Sequence, residues 1–129
     1  MKAYNYTLTK TDKGISVLDI VPNKVKGAEV INFETPELYA FDMQGTPFQQ
    51  KVWKALLKIK KGQTKTYSQV AEMIGMPTAV RAVASAIARN NIAILIPCHR
   101  VIRSDGKIGE YRWGSQMKRD LLQSEGIQV

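Results

Sequence analysis

Residues 66–90 read TYSQVAEMIGMPTAVRAVASAIARN, and this stretch decides the fold. Thr66 and Gln69 stand in capping-box spacing, with the hydroxyl placed for the N3 amide and the Gln side chain for the cap amide. A short helix is expected over 66–74. Gly75-Met76-Pro77 ends it, because Gly admits a left-handed turn and Pro cannot continue a helix. A further helix is expected over 78–90. Two short helices split by a tight glycine-containing turn form a helix-turn-helix. On the second of them Val80, Val83, Ala84 and Ile87 share one face and predict its buried side. Thr78, Ala82, Ser85 and Arg89 lie opposite, and Arg81 projects from the flank. An ordinary solvent-facing helix carries Lys, Glu and Gln there. Small side chains admit close approach to another surface, and two surfaces fit equally: a groove of DNA or a neighbouring helix.

Upstream, Thr46-Pro47-Phe48-Gln49 reads as an N-cap, a Pro at the first helical position and a Gln three residues after the cap. Phe48, Val52, Ala55, Leu56 and Ile59 follow as an apolar stripe, and Gly62 is expected to close that helix. Residues 35–45, with Pro36 and Gly45, read as a linker. Residues 4–34 read as short strands: Tyr4, Tyr6 and Leu8 alternate with polar residues, Asp12-Lys13-Gly14 makes a turn, 15–21 is a second strand and 29–33 a third. Downstream, Ile92 to Ile96 is an apolar run expected to be extended and buried. It delivers Pro97-Cys98-His99-Arg100 to a loop containing Gly106, Gly109 and Gly114, and a last helix is expected over 115–125. The fold class is α+β: a small β-rich segment, residues 1–45, then a mainly helical, winged helix-turn-helix-like domain, residues 46–129.

Charge divides along the same line. Of 19 Lys/Arg and 11 Asp/Glu in the 129 residues, residues 1–45 hold five and six, for a net of −1, while residues 46–129 hold 14 and five, for a net of +9. A basic domain of this kind suits phosphate contacts. The plainer reading of the same charge is solubility. No run approaches the roughly 18 apolar residues of a membrane span, and the first ten residues lack the apolar stretch of a secretory signal. A cytoplasmic protein is expected, or a nuclear one in a eukaryote. With one Cys and one His, the chain offers two of the four ligands of a structural zinc site, and no metal is expected.

Cys98 is the single cysteine. A lone thiol is usually an inert core residue. Here a histidine follows it, Arg100 and Arg103 lie close in sequence, and the segment passes from a buried run into a glycine-rich loop. Cationic surroundings favour the thiolate, the reactive form. A directly bonded Cys–His dyad is a poor fit, since adjacent side chains of an extended segment diverge. A relay through one water is easier, and it requires a group to orient His99. Glu125 is a candidate, because a carboxylate at a helix C-terminus opposes the helix dipole; the alternative is an exposed residue without a role.

GTPFQQKVWKAL (45–56), TYSQVA (66–71), AVRAVASAIARNN (79–91), IPCHRVI (96–102) and Tyr111-Arg112-Trp113-Gly114 together resemble the O6-alkylguanine-DNA alkyltransferases, and most closely the C-terminal domain of the bacterial adaptive-response proteins. The likeness runs from about Thr46 to Glu125. It implies direct-reversal repair: single-turnover, irreversible transfer of an alkyl group from O6 of guanine in double-stranded DNA to Cys98, with no cofactor, by a monomer bound in the minor groove. It implies that His99 is a water-mediated base completed by Glu125, that Asn90 holds the turn behind the site, and that Tyr111 donates to the departing guanine. Tyr67 and Arg81 would rotate the nucleotide out and fill its place, with Ala82, Ser85, Ala86 and Arg89 against the DNA. Backbone groups of Cys98 and Val101, with Arg112 and Trp113, would line the pocket, and Trp113 would lean across its entrance or else anchor the final helix. The family's usual N-terminal subdomain is larger than the 45 residues that precede Thr46. A lesion sensor without an acceptor thiol is disfavoured by Cys98; a transcription factor would leave the Pro-Cys-His-Arg segment unexplained.

Overall fold

The computed structural model describes residues 4–27 and 29–129. Strands β1 (Tyr6–Thr11) and β2 (Gly14–Ile20) form the antiparallel hairpin expected from the Asp12-Lys13 turn. The Gly14 backbone at φ 130° lies so close to the Ala40 carbonyl that a Cβ would sit 2.3 Å from its oxygen, so only Gly fits. The third strand expected over 29–33 is not formed. Instead Tyr6 Oη donates to the Glu29 carbonyl and accepts from the Ile31 amide, and Tyr39 Oη accepts from the Asn32 amide. Side chains satisfy this backbone, so no ladder is needed. The 35–45 linker carries a short 3-10 turn, Pro36–Leu38, and then Phe41 bridges to Ile15.

Helix α1 (Pro47–Leu56) opens with the expected capping box, Gln49 N to Thr46 Oγ1 at 3.1 Å and Thr46 N to Gln49 Oε1 at 3.0 Å. It ends before Ile59, which still reaches the core through a turn. Strand β3 (Lys65–Thr66) pairs in parallel with β4 (Val101–Ile102). Helix α2 (Tyr67–Met73) has a second capping box on Thr66 and Gln69. Gly75 turns at φ 74°, and α3 (Val80–Ala88) follows, packed on both α1 and α2. Helix α4 (Ser115–Ser124) closes the chain.

One core runs through hairpin and helices: Ile15 and Leu18 of β2 join Val52 and Leu56 of α1, Val70, Val83 and Leu121. The Ile92–Ile96 run is buried, as expected, but it is not a strand beyond a single bridge from Ile92 to Leu18. Leu18 N donates to Asn91 O, and Ala93 N to Leu18 O. The chain then coils through tight turns, with Leu95 N on Ala93 O and Cys98 N on Ile96 O, and with Ile94 at φ 67°. The cause is Asn90, whose amide gathers the backbone from both ends of the run.

Candidate active site

Asn90, 1% exposed at the end of α3, folds the run back on itself. Its Nδ2 donates to Ile92 O at 3.0 Å, to Ile96 O at 3.2 Å and to Cys98 Sγ at 3.3 Å, while its Oδ1 accepts from Ile92 N at 3.0 Å. Cys98 begins a 3-10 turn, Cys98–Arg100, rather than lying in an extended strand. The side chains of Cys98 and His99 are both buried, and no hydrogen bond joins them among the described residues. His99 Nε2 lies 3.0 Å from Glu125 Oε2, so the carboxylate at the end of α4 does orient the imidazole. His99 Nδ1 and the Tyr111 hydroxyl are buried without a protein hydrogen-bond partner.

Arg100 does not face the thiol, as its place in sequence led us to expect. Its Nε and Nη2 grip both oxygens of Glu125, at 2.9 and 2.8 Å, and its Nη1 donates to Ile59 O at 2.8 Å. Arg103 is also turned away, exposed and paired with Asp105. The cation in the wall is Lys118, 1% exposed on α4, whose Nζ donates to Val101 O at 2.6 Å and Glu110 O at 3.2 Å. Sequence reasoning missed it. The available signal was a lysine three and four residues before Leu121 and Leu122, on the apolar stripe of its helix.

These surroundings set the protonation states. Burial pushes the Cys98 thiol up to about 11, against the Asn90 hydrogen bond and the charges of Lys118 and Arg112, so the resting group is the thiol rather than the thiolate. Burial likewise holds His99 below its usual range, against the pull of Glu125. Burial works to raise Glu125, but hydrogen bonds from Arg100 and His99 outweigh it and hold the carboxyl at about 2. Burial, with the nearby Cys98, drives the Tyr111 phenol well above its usual value, keeping it a donor.

Cys98 forms the floor of a cavity of about 270 Å³, walled by Tyr67 of α2, Ala84, Ile87 and Ala88 of α3, and Glu110, Tyr111 and Arg112 of the loop. Its size is near the lower end of small-ligand pockets, roughly 300 Å³. Gly109 permits the loop's approach: it has φ 78°, and a Cβ there would meet Arg103 Cγ at 3.3 Å and Tyr67 Oη at 3.4 Å. Arg81, Ala82 and Ser85 of α3, and Arg89 at its C-cap, are exposed and lie outside the cavity lining. Ala86 is not among them. It is 2% exposed, and its carbonyl accepts from Trp53 Nε1 at 2.8 Å, because its position on the helix faces α1. Val101 does not line the cavity either: its side chain is buried and its carbonyl is held by Lys118. Trp113 stands outside it as well. Its indole Nε1 donates to Asp19 Oδ1 at 2.5 Å, tying the loop to β2, and its ring lies tilted at 59° against Tyr111, 5.3 Å between centroids. The described residues contain no group of three or more His, Cys, Asp or Glu able to hold a metal, and no helix long and apolar enough to cross a membrane.

Comparison with known proteins gives this geometry its context. Residues 47–127 match the family model for the 6-O-methylguanine DNA methyltransferase DNA-binding domain. The chain is 54% identical over 92 residues to the bifunctional transcriptional activator/DNA repair enzyme Ada of Escherichia coli, covering 71% of this chain and 26% of that protein. It is 53% identical over 81 residues to a methylated-DNA–protein-cysteine methyltransferase of Kluyveromyces lactis, covering 63% of this chain and 43% of that one. The chain thus spans less than half the length of these two relatives. A crystal structure of Mycobacterium tuberculosis OGT in complex with DNA superposes with a TM-score of 0.78 at 36% identity, over 93% of this chain and 85% of that one. With a family model spanning most of the chain, and with buried Cys98, His99 and Asn90 and their partner Glu125 inside the matched region, this protein belongs to the 6-O-methylguanine DNA methyltransferase family.

Proposed function

We propose that the protein repairs O6-alkylguanine in double-stranded DNA by accepting the alkyl group on Cys98, once and irreversibly. One observation carries the reading: the single thiol lies at the floor of a base-sized cavity that opens beside the exposed, small-sided face of α3. A thiol in such a place cannot reach a guanine stacked in a duplex, so the nucleotide must leave the stack. Helix α3 enters the minor groove, where Ala82 and Ser85 allow close approach. Arg81, exposed on the flank, fills the vacated stack, and Tyr67 at the cavity wall turns the backbone. The protein acts as a monomer, in the cytoplasm or in a eukaryotic nucleus, and its +9 domain supplies the phosphate contacts.

In the transfer itself the Cys98 proton passes through a water to His99 Nδ1, and Glu125 stabilises the imidazolium. The thiolate attacks the alkyl carbon, an S–C bond forms and the C–O6 bond breaks; the departing guanine takes a proton from Tyr111 and leaves neutral, and the proton held on His99 returns through solvent to restore the phenol. No cofactor enters this balance. A thioether has no easy leaving path, and the chain holds no second thiol to exchange with it. The test is intact-protein mass spectrometry after mixing with an O6-methylguanine duplex. The expected result is a gain of one methylene per chain, confined to Cys98, followed by inactivity. Repeated turnover, or methylation that survives Cys98→Ala, overturns the proposal.

A further inference from the structure

Lysine is among the side chains least often fully buried, and a buried one normally has an acidic partner. Lys118 is the only Lys or Arg in the buried set among the described residues, and none of the ion pairs there includes it. Its partners are two backbone carbonyls and the face of the Tyr67 ring, 6.0 Å from Nζ to centroid. Those partners have a common property. Val101 is three residues beyond Cys98, while Glu110 and Tyr67 wall the cavity whose floor is Cys98. The ammonium therefore ties together β4, the loop and α2 at a single point, and it brings a full positive charge that no carboxylate neutralises.

The other polar groups facing the thiol do not supply that charge. Asn90 is neutral. His99 is buried, with Glu125 and Arg100 pairing behind it. Tyr67 and Tyr111 are phenols held protonated by burial and by Cys98. Glu110, at the rim, has the wrong sign. Arg112 contributes from the loop, but it is exposed and its guanidinium is spent on Asn90 O and Asn91 Oδ1.

We propose that Lys118 is a positioning residue for alkyl transfer: its ammonium fixes the two backbone segments on either side of the Cys98 cavity and serves as the counter-charge of the thiolate as it forms. The inference rests on the reading of Cys98 as the acceptor. The shifts agree with the geometry, since burial lowers Lys118 to about 8 while Cys98 works in the opposite direction.

Because the chain has one thiol, the rate of carbamidomethylation by iodoacetamide reads Cys98 alone. The experiment compares wild type, Lys118→Met and Lys118→Arg across pH 6–10, with thermal melts to confirm folding. Met removes the charge with little change of volume, and its pH–rate profile is expected to move up by about one unit, a roughly tenfold slower reaction near neutrality. Arg keeps the charge and is expected to recover most of the lost rate. A folded Lys118→Met protein with the wild-type profile overturns the proposal. If Lys118→Met does not fold, Lys118→Gln takes its place, and a folded Lys118→Gln protein with the wild-type profile overturns the proposal. Methyl transfer from an O6-methylguanine duplex is measured in parallel. Failure of wild type there, with the iodoacetamide profiles as expected, refutes the repair reading and leaves the Lys118–Cys98 coupling standing.

Discussion

Arg100 and His99 share one oxygen of Glu125: Oε2 accepts from Arg100 Nη2 at 2.8 Å and lies 3.0 Å from His99 Nε2. The carboxylate is thus divided between a permanent cation and a neutral imidazole. It remains ionised at any ordinary pH, and it steers His99 by position rather than by taking its proton. Glu125 is depressed to about 2 when folded, against about 4.3 in an unfolded chain. A depressed carboxylate stabilises the fold fully above its unfolded value and progressively less as pH falls toward its folded one.

Acid titration should therefore expose Glu125. Wild type is expected to lose about 2 kcal/mol of unfolding free energy between pH 5 and pH 2 through this group, after allowance for its partial contact with solvent. Glu125→Gln should be less stable at pH 7 and flatter over that window. Urea unfolding at a series of pH values measures both. A Glu125→Gln curve parallel to wild type would remove Glu125 as the acid-sensitive group.

Asn90→Ala should be among the most damaging single changes in the site. It takes from the Ile92 carbonyl and amide their Asn90 partner inside the core, and leaves the Ile96 carbonyl with the Cys98 amide alone. The expected loss is about 3 kcal/mol. It also removes the donor that lowers the Cys98 thiol, so iodoacetamide should react more slowly in whatever fraction remains folded. Calorimetry and the thiol rate together check this; a fall in stability with an unchanged thiol rate would confine Asn90 to holding the turn.

Arg81→Ala should slow repair of an alkylated duplex by tenfold or more, taking about 1.4 kcal/mol per decade of rate, and leave reaction with a free O6-alkylguanine base nearly unchanged. Arg81 is exposed on α3 and does not line the cavity. Single-turnover kinetics on both substrates settles the matter, and equal losses on the two would refute a role in base extrusion.

Trp113→Gly should not open the cavity to a benzyl substituent. The indole is hydrogen-bonded to Asp19 and leans on Tyr111 from outside the walls, so its removal cuts the tie between loop and hairpin at a cost of about 3 kcal/mol. The expected result is a lower melting temperature and no selective gain on O6-benzylguanine relative to methylated duplex. A selective gain would return Trp113 to the entrance.

The elements that sequence resolved were those with local causes. Two capping boxes, one glycine break and a 3.6-residue stripe are each complete within a few residues, and α1, α2 and α3 appear close to where those signals place them. The Ile92–Ile96 run failed as a strand because its conformation is imposed by the Asn90 side chain, two to six residues away, and hydrophobic periodicity does not register a side-chain-to-backbone hydrogen bond. Arg100 and Arg103 were placed near the thiol by sequence proximity, whereas the 3-10 turn sends Arg100 to Glu125, 25 residues away. Lys118 was hidden for the opposite reason: nothing in sequence adjacency connects it with Cys98, and only the packing of α4 does. Ala86 and Trp113 show how little a family role constrains a side chain until its face is known.

Ile94 gives the turn before Cys98 a mechanical character. A β-branched residue at φ 67° sits in a region that costs an L-residue about 1–2 kcal/mol. The segment therefore behaves as a bent spring, and the Asn90 amide is its latch, fastened at Ile92 and at Ile96 on either side of the bend. The same Nδ2 also touches the sulfur. Where the sulfur sits therefore depends on the same amide that holds the bend closed.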